Sequence, residues 1–243
     1  MSSMFPYDSA LVDAVAANPQ TIPDVLRMQQ SIQDTCADAD GLKWFNGLYL
    51  HVTQAVQARV EAGDFANPAW MAALDVEFAC FYFNALRASL SGQPAPDCWQ
   101  AVFDRRNQTA VARIQFALAG MNAHINNDLP QAVVAACQAA STLPAHGTDQ
   151  YDDFTALNST LDSLVEEAKQ TLNVRLPGDA LPPVTNLEDT MAAWSMTAAR
   201  ESAWNNAELL AHLAGFACLR DCFLDTLDGF TALAGKTLLV PVP

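Results

Sequence analysis

Apolar residues recur at helical spacing along most of the chain, and no strand-like alternation of apolar and polar residues extends beyond four residues. This pattern predicts helices throughout. Hydrophobic residues make up 51% of the chain and charged residues 16%, so whole helices can be buried in one core. At 243 residues the chain suffices for one large domain. We therefore predict an all-α fold, a single-domain bundle of about eight to ten helices over residues 1–243, with roughly the first 20 and the last eight residues peripheral.

Proline, glycine and capping residues place the helix boundaries. We predict helices over about residues 22–37, 42–62, 68–90, 97–106, 109–126, 130–140, 148–173 and 186–214, and a last helix that extends through residue 233. Residues 176–183, which contain three prolines, form the longest irregular linker. It is too short to divide the chain into two domains.

Charge and cysteine usage limit the partners. The net charge is −15, and three lysines and nine arginines form no basic cluster, so we expect neither nucleic acid nor an anionic membrane surface to bind. No apolar run is long enough for a membrane span, and the N-terminus does not resemble a signal peptide. Six scattered cysteines are typical of a reducing compartment. We predict a cytoplasmic monomer or homodimer that acts on a small molecule.

The densest polar cluster begins inside an apolar helix pattern at Asn122. His124 and Asp128 are four residues apart, so on a continuous helix they share one face and could ligate a metal or form an acid–base pair. Asn122 and Asn126 form a second pair at the same spacing. A helix end is the alternative interpretation, because Asn126 to Asp128 are good capping residues before Pro130. Capping leaves Asn122 and His124 unexplained.

Other polar residues interrupt apolar helix patterns further along the chain. Glu77 lies among aromatic residues and would need a partner if buried, for which an arginine is the plain structural explanation, whereas Asp75 is expected to be exposed. Arg200 and Trp204 face the apolar side of a C-terminal helix, which makes Arg200 the best candidate for an inward guanidinium. The stripe of Glu208 and His212 beside them is typical of a solvated face.

Several of these residues carry a resemblance to a known family. The block Gly120-Met121-Asn122-Ala123-His124-Ile125-Asn126, followed by Asp128-Leu129, resembles the GMNAHIN-x-DL signature of a bacterial family of unknown function. Asp153, Phe154 and Asn158, and the later pairs Ala199-Arg200 and Ala203-Trp204, are similar to weaker features of that family. The resemblance implies a shared site but no particular reaction.

A more distant resemblance concerns His124 and Asp128 alone. Their spacing is similar to a ligand pair in the all-α zinc phospholipase C and P1-nuclease group. Pro130 comes early here, residues 131–136 contain no histidine, and the four histidines of the chain cannot complete a three-zinc cluster. A single metal site is what this resemblance leaves open.

The first functional hypothesis is an enzyme with a polar site in a pocket between helices. It would hydrolyse, eliminate from or cyclise a largely apolar substrate. The catalytic candidates are His124, Asp128, Glu77 and Arg200. The substrate-binding candidates are Asn122, Asn126, Asn158 and Trp204. One divalent metal, Zn²⁺ or Mg²⁺, is a possible cofactor, with His124, Asp128 and Asp153 as ligands.

Two alternatives stay open. Asp149, Asp152 and Asp153 could hold Mg²⁺ for a diphosphate, as in terpene cyclases, although carboxylates at a helix start are explained equally well by the helix dipole. The chain could instead be a non-catalytic helical protein that binds a ligand or partner. In that case the His124 block would be a buried hydrogen-bond network that fixes helix packing.

Overall fold

The computed structural model describes residues 4–172 and 195–241, and every regular element in these two ranges is a helix. The α-helices are α1 (Asp8–Ala14), α2 (Ile22–Thr35), α3 (Gly41–Ala62), α4 (Pro68–Leu90), α5 (Asp97–Phe103), α6 (Arg113–Ala123), α7 (Leu129–Ala139), α8 (Asp149–Ala156), α9 (Asn158–Leu172), α10 (Met196–His212) and α11 (Ala217–Leu238). Nine of these helices have eight or more residues. The predicted all-α, single-domain bundle is confirmed.

Capping residues begin the helices where the sequence indicates. The side chain of Asn67 accepts a hydrogen bond from the Trp70 amide at the start of α4, and Gly63 ends α3 in a left-handed conformation. The predicted helix over residues 148–173 is wrong as one element, because it divides into α8 and α9 at Leu157. The predicted linker and the predicted start of the helix at residue 186 lie outside the described residues.

The predicted helix end before Pro130 is also wrong. The chain continues from α6 through a π-helical turn, His124–Asp128, directly into α7. Pro130 has no amide hydrogen to donate to the carbonyl of residue 126, and the wider turn absorbs this loss. The Leu129 amide donates to His124 O, and Gln131 Nε2 donates to Asn127 O. Asn126 to Asp128 therefore lie within the long central helix.

The helix formed by α6, the π turn and α7 runs through the centre of the bundle, and α3, α4, α10 and α11 pack around it. Two glycines bring α3 and α6 close together. A Cβ atom at Gly120 would lie 2.3 Å from Phe45 Cγ, and one at Gly41 would lie 2.4 Å from the Phe116 ring. Phe45 is therefore seated directly on α6.

The chain ends contribute to the core as well. Leu11, Val15 and Leu239 are fully buried, although the sequence analysis set the end segments at the periphery. Arg106 holds the N-terminal helix in place because its guanidinium pairs with Asp40 and, at 3.0 Å, with Asp8. No helix in the described ranges has the length and apolar character needed to cross a membrane.

The close approach at Gly120 predicts a large effect for a small substitution. Gly120→Ala should lower the free energy of unfolding by about 1–3 kcal/mol, because its methyl group collides with the Phe45 ring. Gly229→Ala on α11 is the matched control, since a Cβ atom at that position would have no neighbour within 4 Å. The control should be neutral or stabilising by up to about 1 kcal/mol. Urea denaturation measures both, and an equal effect of the two substitutions would contradict this packing.

Candidate active site

His124 and Asp128 form the centre of a buried polar group. His124 Nδ1 lies 2.9 Å from Asp128 Oδ2, and Trp99 Nε1 donates to the same oxygen at 2.8 Å. Asn127 Nδ2 donates to Asp128 Oδ1 at 2.8 Å. His124 is 2% exposed and Asp128 1%. Three donors thus fix this carboxylate, and the carboxylate in turn fixes the imidazole.

The partners of His124 define its tautomer. A carboxylate only accepts hydrogen bonds, so the proton of the neutral imidazole lies on Nδ1 and the lone pair on Nε2. His124 Nε2 is buried and has no hydrogen-bond partner among the described residues. An unpaired basic nitrogen in the interior is costly for a residue that only packs. The same arrangement, with one ring nitrogen anchored and the other free, is what a general base requires.

Burial lowers the pKa of His124 below its ordinary value of 6.5, and the hydrogen bond and charge of Asp128 oppose this shift only in part. The imidazole is therefore neutral at neutral pH. The unfolded chain takes up a proton near pH 6.5, whereas the folded chain does so only at lower pH. The contribution of His124 to stability is complete above pH 6.5 and declines as the pH falls from there towards the folded-state pKa.

Aromatic rings enclose the imidazole. The Phe78 ring stacks on it with centroids 3.4 Å apart and an interplanar angle of 5°. Tyr49 meets it edge-on at 4.5 Å, and Phe45 does so at 5.8 Å. These contacts leave the ring a single orientation and keep bulk water away from it.

A cavity of about 50 Å³ adjoins His124. Its polar residues are His124, Tyr49 and Arg200. The rest of its wall is apolar and includes Leu48, Val52, Phe78, Met121, Ile125 and Leu161. A second cavity, of about 40 Å³, shares Tyr49 and Arg200 with the first and adds Asp75. Both volumes are smaller than the 300–1,000 Å³ typical of drug-sized ligands, so these cavities suit a molecule of only a few heavy atoms.

His124 is not the one residue of the cavity walls with an unpaired polar atom in the described part of the chain, because Tyr49 and Asp75 each have one as well. Within the described residues, no hydrogen bond of ordinary geometry reaches the Tyr49 hydroxyl or Asp75 Oδ2. Burial, with Asp75 and Asp128 nearby, raises the pKa of Tyr49 well above its ordinary value, so the phenol stays protonated. Burial also raises the pKa of Asp75 to about 7. The expectation that Asp75 is exposed is wrong.

Arg200 brings a cation to the same cavities. It is 5% exposed, in agreement with the inward position predicted for it. Its Nε donates to Asn158 Oδ1 at 2.8 Å and its Nη2 to Phe154 O at 2.7 Å, with the guanidinium carbon 3.9 Å from the centre of the Phe154 ring. Asn158 therefore orients Arg200, whereas it was predicted to bind substrate directly.

The predicted amide pair has a structural role. Asn126 Nδ2 donates to Asn122 Oδ1 at 3.0 Å, and Asn122 Nδ2 donates to Thr231 O on α11 at 2.8 Å. Neither amide lines the cavity beside His124. The prediction that both contact substrate in that cavity is therefore not supported by their placement, because they join the central helix to α11.

Glu77 and Trp204 also lie apart from His124. Glu77 is partly exposed and lines a surface groove with Asn84. The buried carboxylate on α4 is Asp75. Trp204 is fully buried, packs on Phe154 at 5.0 Å and donates to Glu208. Neither of the two predicted residues lines the cavities described above.

The predicted set of metal ligands does not assemble. Both carboxylate oxygens of Asp153 accept backbone N–H groups, from Ala66 at 2.8 Å and Asn67 at 2.7 Å, so this side chain caps the start of α4. Asp149 and Asp152 are exposed. Within the described ranges, no three His, Cys, Asp or Glu side chains are grouped so that they could hold a metal ion. The prediction that His124, Asp128 and Asp153 together bind a metal is therefore wrong for Asp153, which caps α4. Metal binding as such stays a prediction.

Three residues of the site were not predicted from the sequence: Tyr49, Asp75 and Trp99. Asp75 follows Met71 by four residues and precedes Tyr82 by seven, which places it on the buried face of α4, and this spacing was the available signal. Tyr49 and Trp99 resemble ordinary core aromatics. Nothing in their local sequence distinguishes them.

Asp75 predicts an unusual pH dependence. Its folded-state pKa of about 7 is above the ordinary 3.8, so its contribution to stability is complete below pH 3.8 and is lost as the pH rises towards 7. Asp75→Asn should remove this loss, which is up to roughly 4 kcal/mol. Urea unfolding at pH 5 and pH 8 tests this as the difference between wild type and variant. The exposed Asp225→Asn is the control, and parallel profiles for wild type and Asp75→Asn would contradict the assignment.

Comparison with known protein families gives a match over most of the chain. The model of DUF5995, described as a family of unknown function, matches residues 22–241. The predicted relation to a family without an assigned activity is thereby confirmed, whereas nothing supports the likeness to the zinc phospholipase C group. No curated protein and no solved structure matches the chain.

Proposed function

We propose that this chain, which belongs to the family of unknown function DUF5995, is an enzyme in which His124 acts as a general base on a small, largely apolar molecule. Of the reaction types open from the sequence, elimination agrees best with the site. The substrate would occupy the cavity lined by residues of α3, α4, α6, the π turn, α9 and α10. Asp128 would hold the imidazole and stabilise the imidazolium that forms.

The observation that carries this proposal is the asymmetry of His124. Asp128 anchors Nδ1 at 2.9 Å, while the buried Nε2 has no partner in the described residues and the ring borders a cavity. A purely structural histidine in a core satisfies both nitrogens. The lowered pKa supports the same role, because it keeps the base in its unprotonated, reactive form at neutral pH.

Tyr49 supplies the acid in this proposal. Its protonated hydroxyl belongs to the same cavity wall, and its ring lies 4.5 Å from that of His124. His124 Nε2 would accept a proton from the substrate, and Tyr49 would donate its proton to the departing group as the bond to that group breaks. With a hydroxyl as the departing group, the bond between carbon and that oxygen breaks and the product is water. This water would carry the proton from the imidazolium to the tyrosinate, so that both groups are restored and protons balance over the cycle.

The apolar lining of the site favours elimination over hydrolysis. Apolar side chains form most of the cavity wall, and the His124 ring is shielded by Phe78 and Phe45. Such a lining offers few polar groups to hold and orient the water molecule that hydrolysis would need as a nucleophile. A cytoplasmic location is part of the proposal, while a divalent metal on His124 Nε2 is the less favoured version of it.

An unbiased test compares two proteins on the same mixture of small molecules. Purified wild type and His124→Gln are incubated with a metabolite extract, and mass spectrometry follows every compound over time. We expect wild type to consume at least one small compound and His124→Gln to do so roughly 10²–10⁴-fold more slowly, because glutamine keeps a polar group but cannot accept the proton. Asp128→Asn should also lose most of the rate, since it removes the anchor of the imidazole.

Asn84→Ala is the matched control, because Asn84 is exposed and lies outside the cavity of His124. Its rate should equal that of wild type. If His124→Gln is folded and consumes the same compounds at the wild-type rate, the polar group is a packing network and the proposal is wrong. A wild type that changes no compound in any extract would overturn it as well.

A further inference from the structure

The guanidinium of Arg200 is a buried cation without a counter-ion in the described part of the chain. Arg200 is 5% exposed, and none of its contacts there is to a carboxylate. Asp162 attracts this cation electrostatically without contacting it, and the Asp162 side chain is exposed to solvent. A protein that buries a charge normally pairs it, because the loss of hydration is large.

Part of Arg200 has a structural role. Nε binds Asn158, and Nη2 binds the Phe154 carbonyl in the last turn of α8, where a positive charge is favourable. These two bonds orient the side chain. Nη1 makes no hydrogen bond to the described residues, so its two N–H groups are available to water or to a ligand. An acceptor with a negative charge would complete the group.

The position of Arg200 shows where such an acceptor would lie. Arg200 borders both cavities, and it borders the larger one together with His124 and Tyr49. The remaining wall of the larger cavity is apolar, the smaller cavity adds Asp75, and no lysine lines either of them to form a second cationic contact. A ligand that fits must combine one small anionic group with a short apolar part.

We infer that the cavity binds a short-chain carboxylic acid as its carboxylate, with the carboxylate on Nη1 of Arg200 and the alkyl part against Leu48, Val52 and Leu161. A phosphate ester fits less well, because a dianion needs more donors than one arginine offers. The inference rests on the proposed function for what His124 does to the bound acid. The binding itself does not require that His124 be catalytic.

The experiment measures binding of matched probes. Isothermal titration and ligand-observed NMR compare sodium isobutyrate with isobutyramide, which has the same shape and no charge, and use acetate and propionate as shorter acids. We expect the acids to bind wild type roughly 10- to 100-fold more tightly than the amide, because an ionised hydrogen-bond partner adds that much.

Two variants separate charge from structure. Arg200→Met removes the cation but also its bonds to α8 and α9, so circular dichroism must show that it is folded. Asn158→Asp keeps the acceptor for Nε and places a carboxylate beside the guanidinium. It should therefore preserve the fold, weaken isobutyrate by tenfold or more and leave isobutyramide unchanged. Arg220→Met, at an exposed arginine on α11, is the control and should bind like wild type.

Equal affinity for acid and amide would overturn the inference, as would unchanged isobutyrate binding by a folded Arg200→Met or Asn158→Asp. No binding of any of the three acids would overturn it too. These failures differ from a failure of the proposed function. If the acids do not bind but His124→Gln loses activity, His124 is a base for a neutral substrate. If they bind but His124→Gln stays active, the cavity is a carboxylate site without that base.

Discussion

The Asp128 carboxylate is the interaction on which the site depends. It accepts from His124, Trp99 and Asn127, and so joins the π turn to α5. Within a regular α-helix the same residues would be placed differently, because the π turn inserts an extra residue into the winding. Pro130 favours this turn locally, because it has no amide hydrogen to donate within a regular α-helix. Asp128 stabilises the turn through its contact with Trp99 on α5. The imidazole is thereby oriented by covalent geometry and hydrogen bonding together.

The titratable groups buried in this core differ in the free energy that their burial costs. Asp128 is surrounded by donors, whereas Asp75 and Arg200 are buried without an ionic partner in the described ranges. Burial raises the pKa of Asp75 to about 7 and lowers that of Arg200. Titratable groups whose burial destabilises the fold are common at functional sites, because a ligand can supply the interaction that they lack. Both side chains border the smaller cavity beside Tyr49, which agrees with that interpretation.

The sequence was sufficient for the fold and for part of the site. Helical periodicity and the cap at Asn67 predicted the bundle and the bounds of α4, and the spacing of His124 and Asp128 predicted their contact. Arg200 was expected to point inward from its apolar neighbours, and it does. These features are local, since each depends on residues within about two turns of one helix.

The rest depends on contacts between distant segments. Asp153 was interpreted as a metal ligand or a dipole residue, but it caps a helix that begins 85 positions earlier in the chain. On α4, apolar residues occupy nearly every face, so the spacing of Asp75 from Met71 and Tyr82 was only a weak signal for its burial. A surface cluster of His146, Glu201 and Glu208 could not be predicted for the same reason. His146 contacts Glu201 at 3.0 Å and Glu208 at 2.6 Å, and more than 50 residues separate it from both in the sequence.

The protonation state of His124 is the most direct test of its assignment as a neutral base that Asp128 anchors. In protein labelled with ¹⁵N-histidine, the two ring nitrogens report separately which of them carries a proton, and a pH series from 5 to 8 follows their titration. We expect a neutral ring at pH 7 with the proton on Nδ1, and a transition that falls below pH 6.5. An imidazolium at pH 7, or a neutral ring protonated on Nε2, would contradict the assignment of His124 as a base anchored by Asp128.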